Sequence, residues 1–509
     1  MAVFEHETFL PHPREEVFAW FERPGALHRL TPPFSGRVIS APSDGIRVGS
    51  TAVIAIGAPG VLGTGLSAAA AALASLVPRI PRPQLAWTAR HTAYEKDRLF
   101  RDEMVRGPLG HWVHTHSFAD VPGGTLMRDA IDYGVPAERL FPGSTAESAA
   151  RLFASSLRRI FAYRSDQLAA DLAFHAAHPG HHPAGRPLTV AISGASGMIG
   201  TQLRALLEGG GHRVLPLVRR PPAAPDEVFW DPATGTLDPE DLMACDAIVN
   251  LAGSTIGRRF SPAVKEDILR SRLSGTDLLA RTAARLAGNG PVPTFVCASG
   301  VGYYGAHPHR GPAPQPLRED APAGNDFLAA VCSAWEAATA PAARAGVRTV
   351  QMRTGLVQSP AAGILAEILP LYAAGVGGPV RLPGTGEDPW QSWISIDDTV
   401  GAYAHAVLGG PTAENGPAEG GEAGALEGPV NLVGPEPVPG SVYARTLGRV
   451  LHRPAAVPVP AAGPRLLLGR EGAAELAFSS QRVSSSKLEA SGYVFRHRRL
   501  EDALRHVLP

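Results

Sequence analysis

The sequence has no excess of charge of either sign and few cysteines, and each shortage excludes a class of protein. Its 509 residues carry a formal net charge of zero, so no overall basic field would recruit nucleic acid or an anionic membrane. Three cysteines, Cys245, Cys297 and Cys332, lie far apart and form neither a CxxC pair nor a disulfide framework. We therefore expect buried thiols in a reducing compartment and no nucleic-acid partner.

A secretion signal is also lacking. The chain begins with Met-Ala-Val-Phe-Glu-His-Glu, an acidic segment without the basic and then apolar pattern of a signal peptide. Residues 48–78 carry no charged side chain and would be long enough to span a bilayer, but glycines interrupt them and alanine dominates the apolar remainder. We expect a cytoplasmic protein without a membrane span, in which this stretch forms a strand and then an insertion. Contact with a membrane is the alternative.

The length and the hydrophobic patterns predict more than one domain. Residues 2–10 alternate as a strand, a short helix follows Pro13, and a long helical pattern covers about residues 146–172. Between the two helices lie five alternating runs, at residues 49–56, 85–94, 99–105, 111–118 and 125–133. This order predicts a curved antiparallel sheet wrapped around the long helix, with an apolar cavity between them.

Residues 1–165 resemble the START-like, or polyketide-cyclase, superfamily of helix-grip folds in this strand order and in the opening Phe9-Leu10-Pro11-His12-Pro13-Arg14-Glu15-Glu16-Val17-Phe18. The resemblance implies a small, lipid-like or polycyclic ligand.

Three histidines, His111, His114 and His116, lie in one predicted strand, where only the last two share a face. A metal ion would need a third ligand from elsewhere, so we expect exposed histidines and no metal site. Residues 166–187, which are largely polar and end rich in proline and glycine, are the predicted linker.

A glycine-rich turn opens the second region. The apolar run from Leu188 to Ile192 predicts a buried parallel strand, and Gly194, Gly197 and Gly200 separate it from a helical pattern. A strand that turns sharply into a helix directs the first helical N–H groups at one point, where the pyrophosphate of a dinucleotide binds. The predicted cofactor contacts of this turn are Gly194, Ser196, Gly197, Met198 and Ile199.

The ends of the next two strands extend the predicted cofactor site. Arg219 and Arg220 follow the second strand, where a base pairs with the 2′-phosphate of NADP and an acid would accept the 2′-hydroxyl of NAD. NADP is therefore the expected cofactor and NAD the alternative, although the two arginines are also consistent with a solvated loop. The following strand runs through Leu251 into Ala252 and Gly253. This end resembles the Asn-x-Ala-Gly of the short-chain dehydrogenase/reductase superfamily, whose small residues let the backbone approach the cofactor, so Leu251, Ala252 and Gly253 are predicted cofactor contacts.

Ordered motifs across residues 188–509 resemble the epimerase-like, atypical extended short-chain dehydrogenases of unassigned substrate. They include Asn250-Leu251-Ala252-Gly253, Ser271 to Leu279, Ser299 to Gly305, Trp393 to Asp398 and Lys487 to Tyr493. The resemblance implies a Rossmann-type domain over residues 188–429, a small C-terminal domain over 430–509 and a small-molecule substrate. The complete expected fold is thus α+β and then α/β: a START-like helix-grip domain, a doubly wound parallel sheet and a small C-terminal lobe. Residues 409–428 are of low complexity and predict a loop.

The sequence departs from working short-chain dehydrogenases at the catalytic pair. In those enzymes a Tyr-x-x-x-Lys helix moves the proton that accompanies hydride transfer, but here the two positions fall on Leu328 and Cys332. Ser299 and Tyr303 are the candidate catalytic substitutes, although the pattern at Tyr303 favours a ring packed against its loop. The candidate substrate contacts are Arg272, Tyr304, Trp393 and Asp397.

Two functions remain open at this stage. The first is an NADP-dependent oxidoreductase or epimerase of unusual mechanism, to which the N-terminal domain delivers an apolar substrate. The second is a nucleotide-binding sensor or scaffold in which cofactor binding survives without turnover. The retained Ser299 and Tyr303 favour the first function, whereas the missing Tyr-x-x-x-Lys pair favours the second. The patterns do not indicate an oligomeric state.

Overall fold

The computed structural model describes residues 2–57, 85–134, 144–178, 186–289, 293–308, 314–409 and 425–509. They form two compact units, one of Met1–His175 with Glu208–Gly211 and His506–Pro509, the other of Ala176–Leu207 with His212–Arg505. Most of the predicted insertion, the centre of the predicted linker and most of the low-complexity segment lie outside the described residues. Within the described ranges, no helix is long and apolar enough to cross a membrane.

The first unit contains a seven-stranded antiparallel sheet in the order β1-β7-β6-β5-β4-β3-β2. The strands are β1 Ala2–Leu10, β2 Gly36–Ser40, β3 Thr51–Ile56, β4 Leu85–Glu95, β5 Leu99–Arg106, β6 His111–Val121 and β7 Gly124–Gly134. The helices are α1 Arg14–Glu22, α2 Ala26–Leu30 and α3 Ser144–Ala177. All five predicted alternating runs are strands. β2 was not predicted, because its largely exposed side chains leave no apolar alternation.

The long helix α3 packs on one face of this sheet through two apolar clusters. Leu168 and Leu172 pack with aromatic side chains such as Phe18, whereas Leu157 and Phe161 pack with a separate group on β7. The helix continues to Ala177, so it occupies the first part of the predicted linker.

Polar side chains on β6 correct one expectation. His114 and His116 are only 5% and 2% exposed, so the prediction of exposed histidines was wrong for this pair. They share a face with the buried Phe118, and this face of β6 points into the unit because the residues alternate in and out along a strand. The interior of this unit therefore holds buried polar side chains as well as apolar ones.

The second unit contains a seven-stranded sheet in the order β10-β9-β8-β11-β12-β13-β17, and all its strands are parallel. The strands are β8 Thr189–Ser193, β9 Arg213–Val218, β10 Val228–Phe229, β11 Ala247–Asn250, β12 Thr294–Gly300, β13 Thr349–Thr354 and β17 Gly428–Leu432. Two-stranded sheets join β14 Leu356–Gln358 to β16 Trp393–Ser395 and β15 Trp390–Gln391 to β18 Val438–Pro439. The first strand along the chain, β8, is third in this order, and the order reverses between β8 and β11, as in the predicted Rossmann-type fold.

Helices connect these strands. They are α4 Met198–Gly209, α5 Pro262–Asn289, α6 Phe327–Ala337, α7 Ala340–Arg344, α8 Gly363–Ala373, α9 Ile396–Leu408, α10 Gly440–Val450, α11 Ala462–Gly472, α12 Ser486–Ala490 and α13 Leu500–Val507. Side chains cap the starts of α5 and α6: the Ser261 hydroxyl accepts from the Val264 N–H, and the Asp326 carboxylate accepts from the Ala329 N–H.

Residues 430–505 belong to the same compact unit as the parallel sheet, and β17 forms an edge of that sheet.

All three cysteines are buried in the second unit. Burial raises the pKa of Cys245, Cys297 and Cys332 to about 12, so the thiols stay protonated at neutral pH. The expectation of buried thiols is confirmed.

Candidate cofactor and substrate site

The glycine turn after β8 is closely packed at two positions. Gly194 has a φ of +69°, and a Cβ atom there would lie 3.0 Å from the Leu251 carbonyl carbon. A Cβ atom on Gly200 would lie 2.2 Å from the Gly194 carbonyl oxygen. Gly197 and Ser196 are exposed at the start of α4. The turn therefore brings bare backbone and a helix N-terminus to the surface, the arrangement that binds a pyrophosphate.

A buried hydrogen-bond network fixes the turn to the neighbouring strands. The Ser193 hydroxyl donates to the Asn250 amide oxygen at 2.6 Å and accepts from the N–H groups of Leu251 and Ala252. The Asn250 amide nitrogen donates to the Thr276 hydroxyl of α5 at 2.8 Å. The carboxyl ends of β8 and β11 are thereby held together, and three predicted cofactor residues, Gly194, Leu251 and Ala252, lie in contact.

The two arginines after β9 differ in their surroundings. Arg220 pairs with both oxygens of Glu227, at 2.5 and 2.8 Å, and this hydrogen bonding lowers the pKa of Glu227 to about 2. Arg219 is exposed, and among the described residues it has no hydrogen-bonding or ion-pair partner. Arg219 is therefore available to a ligand, whereas Arg220 is already engaged.

At the end of β12, the predicted catalytic Ser299 joins a buried ion pair. Its hydroxyl donates to Glu336 at 2.7 Å, and Arg353 donates two hydrogen bonds to the same carboxylate, each of 2.8 Å. Burial alone would lower the pKa of Arg353, but hydrogen bonding to Glu336 and its charge raise it overall. Ser299 is thus held by a carboxylate whose charge is compensated.

The two tyrosines after β12 also lie in different environments. The Tyr304 hydroxyl donates to Asn431 at 2.6 Å and accepts from Arg353 at 3.0 Å, and burial raises its pKa to about 12. The Tyr303 ring is half-buried and lies 3.5 Å from the Arg353 guanidinium carbon. No described residue hydrogen-bonds to the Tyr303 hydroxyl, so this phenol is the one open to a substrate.

The positions of the missing catalytic pair are apolar and buried. Leu328 and Cys332, one turn apart on α6, pack beneath the turn at Gly300 and Gly302. Arg272 lies close enough to Cys332 for its charge to act on the thiol, and its guanidinium also lies 4.9 Å from the Trp335 ring. The Arg272 guanidinium thus lies near Cys332, the position that corresponds by sequence resemblance to the lysine of the short-chain dehydrogenases.

The remaining predicted substrate residues are deeply buried. Trp393 has no exposed surface, and its ring nitrogen donates to the Glu436 carbonyl at 2.8 Å. Asp397 is 2% exposed in the first turn of α9, where the Arg496 guanidinium lies 4.0 Å from its carboxylate. Asp398 accepts the hydrogen bond of the Ser395 hydroxyl, while the Ser395 oxygen accepts from the Asp398 N–H as the helix cap.

Sequence reasoning did not assign a role to Glu336, Arg353 or Asn431. The first two lie within motifs that carry the family resemblance, and an arginine within a strand that is otherwise buried is itself a signal, since such a charge needs a partner. That partner could not be identified, because Glu336 lies on a helix that only the folded chain brings beside β13.

Two segments of the chain match known protein families. Residues 190–415 match the family described as the NAD dependent epimerase/dehydratase family, and residues 459–507 match a domain of unknown function, DUF1731. An epimerase family protein of Mycobacterium bovis is 39% identical over 316 residues, which cover 62% of this chain and 96% of the relative. The chain belongs to the epimerase family.

Two solved structures extend the comparison. The nucleoside-diphosphate sugar epimerase of Corynebacterium glutamicum is 31% identical, and the match covers 100% of this chain and 90% of that one with a TM-score of 0.72. The human epimerase family protein SDR39U1, solved with NADPH, is 29% identical with a TM-score of 0.51, and the match covers 63% of this chain and 99% of the human one. The match to the Corynebacterium structure thus extends over both units of this epimerase family chain. The match to the human structure covers 63% of the chain, which is about the fraction of the chain that forms the second unit.

Proposed function

We propose that this epimerase family protein is an NADP-dependent oxidoreductase or epimerase. The observation that carries the proposal is the glycine turn, where a side chain at Gly194 or Gly200 would collide with the backbone while Gly197 is exposed at a helix N-terminus. A nicotinamide dinucleotide would fit there, with Ser196 to Ile199 holding the pyrophosphate and Leu251 to Gly253 as further cofactor contacts. The NADPH in the human relative supports the phosphorylated form.

Arg219 provides the test of cofactor choice. We expect Arg219→Ala to weaken NADPH binding about tenfold and to leave NADH binding unchanged, because only NADPH carries a 2′-phosphate for the guanidinium. The measurement is isothermal titration of both nucleotides into the full-length protein.

Arg220→Ala is the matched control, since its guanidinium is already paired with Glu227. We expect it to change the NADPH affinity less than Arg219→Ala does. An equal loss of affinity for NADH and NADPH in Arg219→Ala would show that this arginine does not bind the 2′-phosphate.

The chemistry at the site rests on residues other than Tyr-x-x-x-Lys. A bound nicotinamide accepts or donates the hydride, and the chain has to hold the substrate oxygen and move its proton. Tyr303 offers an available hydroxyl above the Arg353 guanidinium, and Ser299 offers a hydroxyl oriented by Glu336. We propose that Tyr303 exchanges the proton with the substrate oxygen. Ser299 would bind the same oxygen after its O–H turns from Glu336 toward the substrate. Arg272, Tyr304, Trp393 and Asp397 remain proposed substrate-side residues.

Tyr303→Phe tests this assignment. We expect the variant to lose NADPH oxidation against a carbonyl library about a hundredfold, within the range for a general acid, and to keep its NADPH affinity. Tyr304→Phe is the comparison variant, because it removes the neighbouring hydroxyl, which is buried and hydrogen-bonded twice. We expect its main effect to be on stability, with the free energy of unfolding lowered by about 1–3 kcal/mol. An unchanged turnover number in Tyr303→Phe would remove Tyr303 from the mechanism.

The second candidate function is a nucleotide-binding sensor or scaffold without turnover. It is favoured by the two buried apolar positions, Leu328 and Cys332, that replace the catalytic pair. Nucleotide binding without oxidation of NADPH by any carbonyl, and without an effect of Tyr303→Phe, would support the sensor.

For the first unit, we propose a small-ligand-binding role of the START-like kind. The antiparallel sheet against a long helix supports this role, while the START-like resemblance itself stays a prediction. An apolar small molecule is the expected ligand, and the cytoplasmic location also stays a prediction.

A further inference from the structure

A layer of ionisable side chains lies inside the first unit, between its two apolar clusters. It is built from three neighbouring strands: Asp102 on β5 pairs in register with His114 on β6, and His116 on β6 pairs with Asp129 on β7. His114, His116 and Asp129 are at most 5% exposed, and Asp102 has a side chain that is 17% exposed. Removing charged side chains from water costs free energy unless their charges are compensated.

One carboxylate contacts both imidazoles. The Nε2 atom of His114 donates to the Asp129 Oδ1 atom at 2.9 Å, and the Nδ1 atom of His116 lies 2.7 Å from the same oxygen without hydrogen-bond geometry. On each ring, the other nitrogen lies on the side of Asp102. A carboxylate behind a histidine is the usual outer partner of a metal-binding imidazole, because it fixes the ring and makes the opposite nitrogen the lone-pair donor.

The opposite nitrogens converge on a second carboxylate. The His114 Nδ1 atom lies 3.5 Å and the His116 Nε2 atom 3.9 Å from the Asp102 Oδ2 atom, and the three atoms all lie within 4.8 Å of one another. Ligands about 2.1 Å from a tetrahedral ion are separated by about 3.4 Å. The three atoms are thus spaced for a common cation after small side-chain rotations.

The charges around the site leave room for a cation. Two carboxylates belong to it, and the Arg164 guanidinium of α3 acts electrostatically on both. The single guanidinium can compensate only one of the two carboxylates.

We propose that Asp102, His114 and His116 form a binding site for a divalent transition-metal ion of the zinc class, with Asp129 as the outer carboxylate that contacts both histidines and hydrogen-bonds His114. Two imidazoles and one carboxylate are a donor set that such ions prefer, and three protein ligands leave a fourth position for water or an oxygen ligand. This site is independent of the nucleotide site in the second unit.

The test uses the full-length protein after removal of metal by a chelator. Titration with Zn²⁺ is expected to give one tight site for each chain, and Co²⁺ is expected to give visible absorption of tetrahedral intensity. His114→Gln, His116→Gln and Asp102→Asn should each lower the Zn²⁺ affinity at least tenfold. Asp129→Asn should lower it by about 10–100-fold and keep the Co²⁺ spectrum, as expected of an orienting group.

Two controls separate this site from other histidines. His111→Gln alters the same strand on its other face, where His111 pairs with the half-exposed Asp132, and should leave the affinity unchanged. The double variant His181→Gln and His182→Gln, which alters two adjacent histidines of the predicted linker, should also bind Zn²⁺ with unchanged affinity. Loss of binding in either control, or its retention in His114→Gln and His116→Gln, would overturn the proposal.

X-ray absorption on the wild-type Zn²⁺ complex makes the proposal testable even where a variant fails to fold. The expected spectrum has two imidazole nitrogens and oxygen ligands. Sulfur ligation, or the absence of a tight Zn²⁺ site in the wild-type chain, would overturn it.

Discussion

Replacing Arg353 by methionine is expected to lower the free energy of unfolding of the second unit by about 3–5 kcal/mol, the cost of breaking a buried ion pair. The Arg353 side chain is 3% exposed and that of Glu336 13% exposed. The substitution leaves Glu336 charged without its partner and also removes a hydrogen bond to the Tyr304 hydroxyl. Denaturant-dependent hydrogen exchange, read on peptides from β12 and α6, measures the loss in this unit.

Arg258→Met is the matched control for this prediction. Arg258 pairs with Asp267 at 2.9 Å, but the two side chains are 45% and 39% exposed, so this pair contributes at most about 1 kcal/mol. Adding Glu336→Gln to Arg353→Met should recover part of the stability, because the uncompensated charge is removed. A loss below about 1 kcal/mol for Arg353→Met alone would contradict the assignment of a buried, charge-compensated pair.

Replacing Gly200 by alanine is expected to weaken NADPH binding at least tenfold, or by about 1.4 kcal/mol. The new Cβ atom would lie 2.2 Å from the Gly194 carbonyl oxygen and 2.8 Å from the Ala195 Cα atom. Because both neighbours are backbone, the turn itself has to move, and the N–H groups that face the pyrophosphate move with it. The measurement is a titration of NADPH into the variant.

Gly288→Ala is the control for the alanine substitution itself. Gly288 is exposed near the end of α5, and a Cβ atom there would have no neighbour within 4 Å. Alanine should stabilise this helix by up to about 1 kcal/mol and leave the NADPH affinity unchanged. Wild-type affinity in Gly200→Ala would mean that the turn is not the binding site.

Local pattern predicted many, but not all, strands of the two sheets. The alternating runs around His111 and Thr125 and the apolar run before Gly194 each became the predicted strand, because period and turn residues are encoded within a few positions. β10, β13 and β17 were not predicted, and neither was β2, since most of its side chains lie at the surface and leave no alternation.

Long-range pairing could not be predicted in the same way. Alternation indicated that His114 and His116 share a face but not that this face is buried, nor that register would set Asp102 and Asp129 beside them. Similarly, Ser299 was identifiable as a candidate, but its partner Glu336 lies 37 residues away along the chain. Side-chain constellations from several elements depend on register and packing, which local periodicity does not encode.

The central claim is that the second unit binds NADP(H) at the glycine turn. Titration of the wild-type, full-length protein with NADPH and NADH tests this claim most directly. We predict one NADPH for each chain, bound more tightly than NADH, with the preference lost in Arg219→Ala. Absence of binding of either nucleotide would contradict the account.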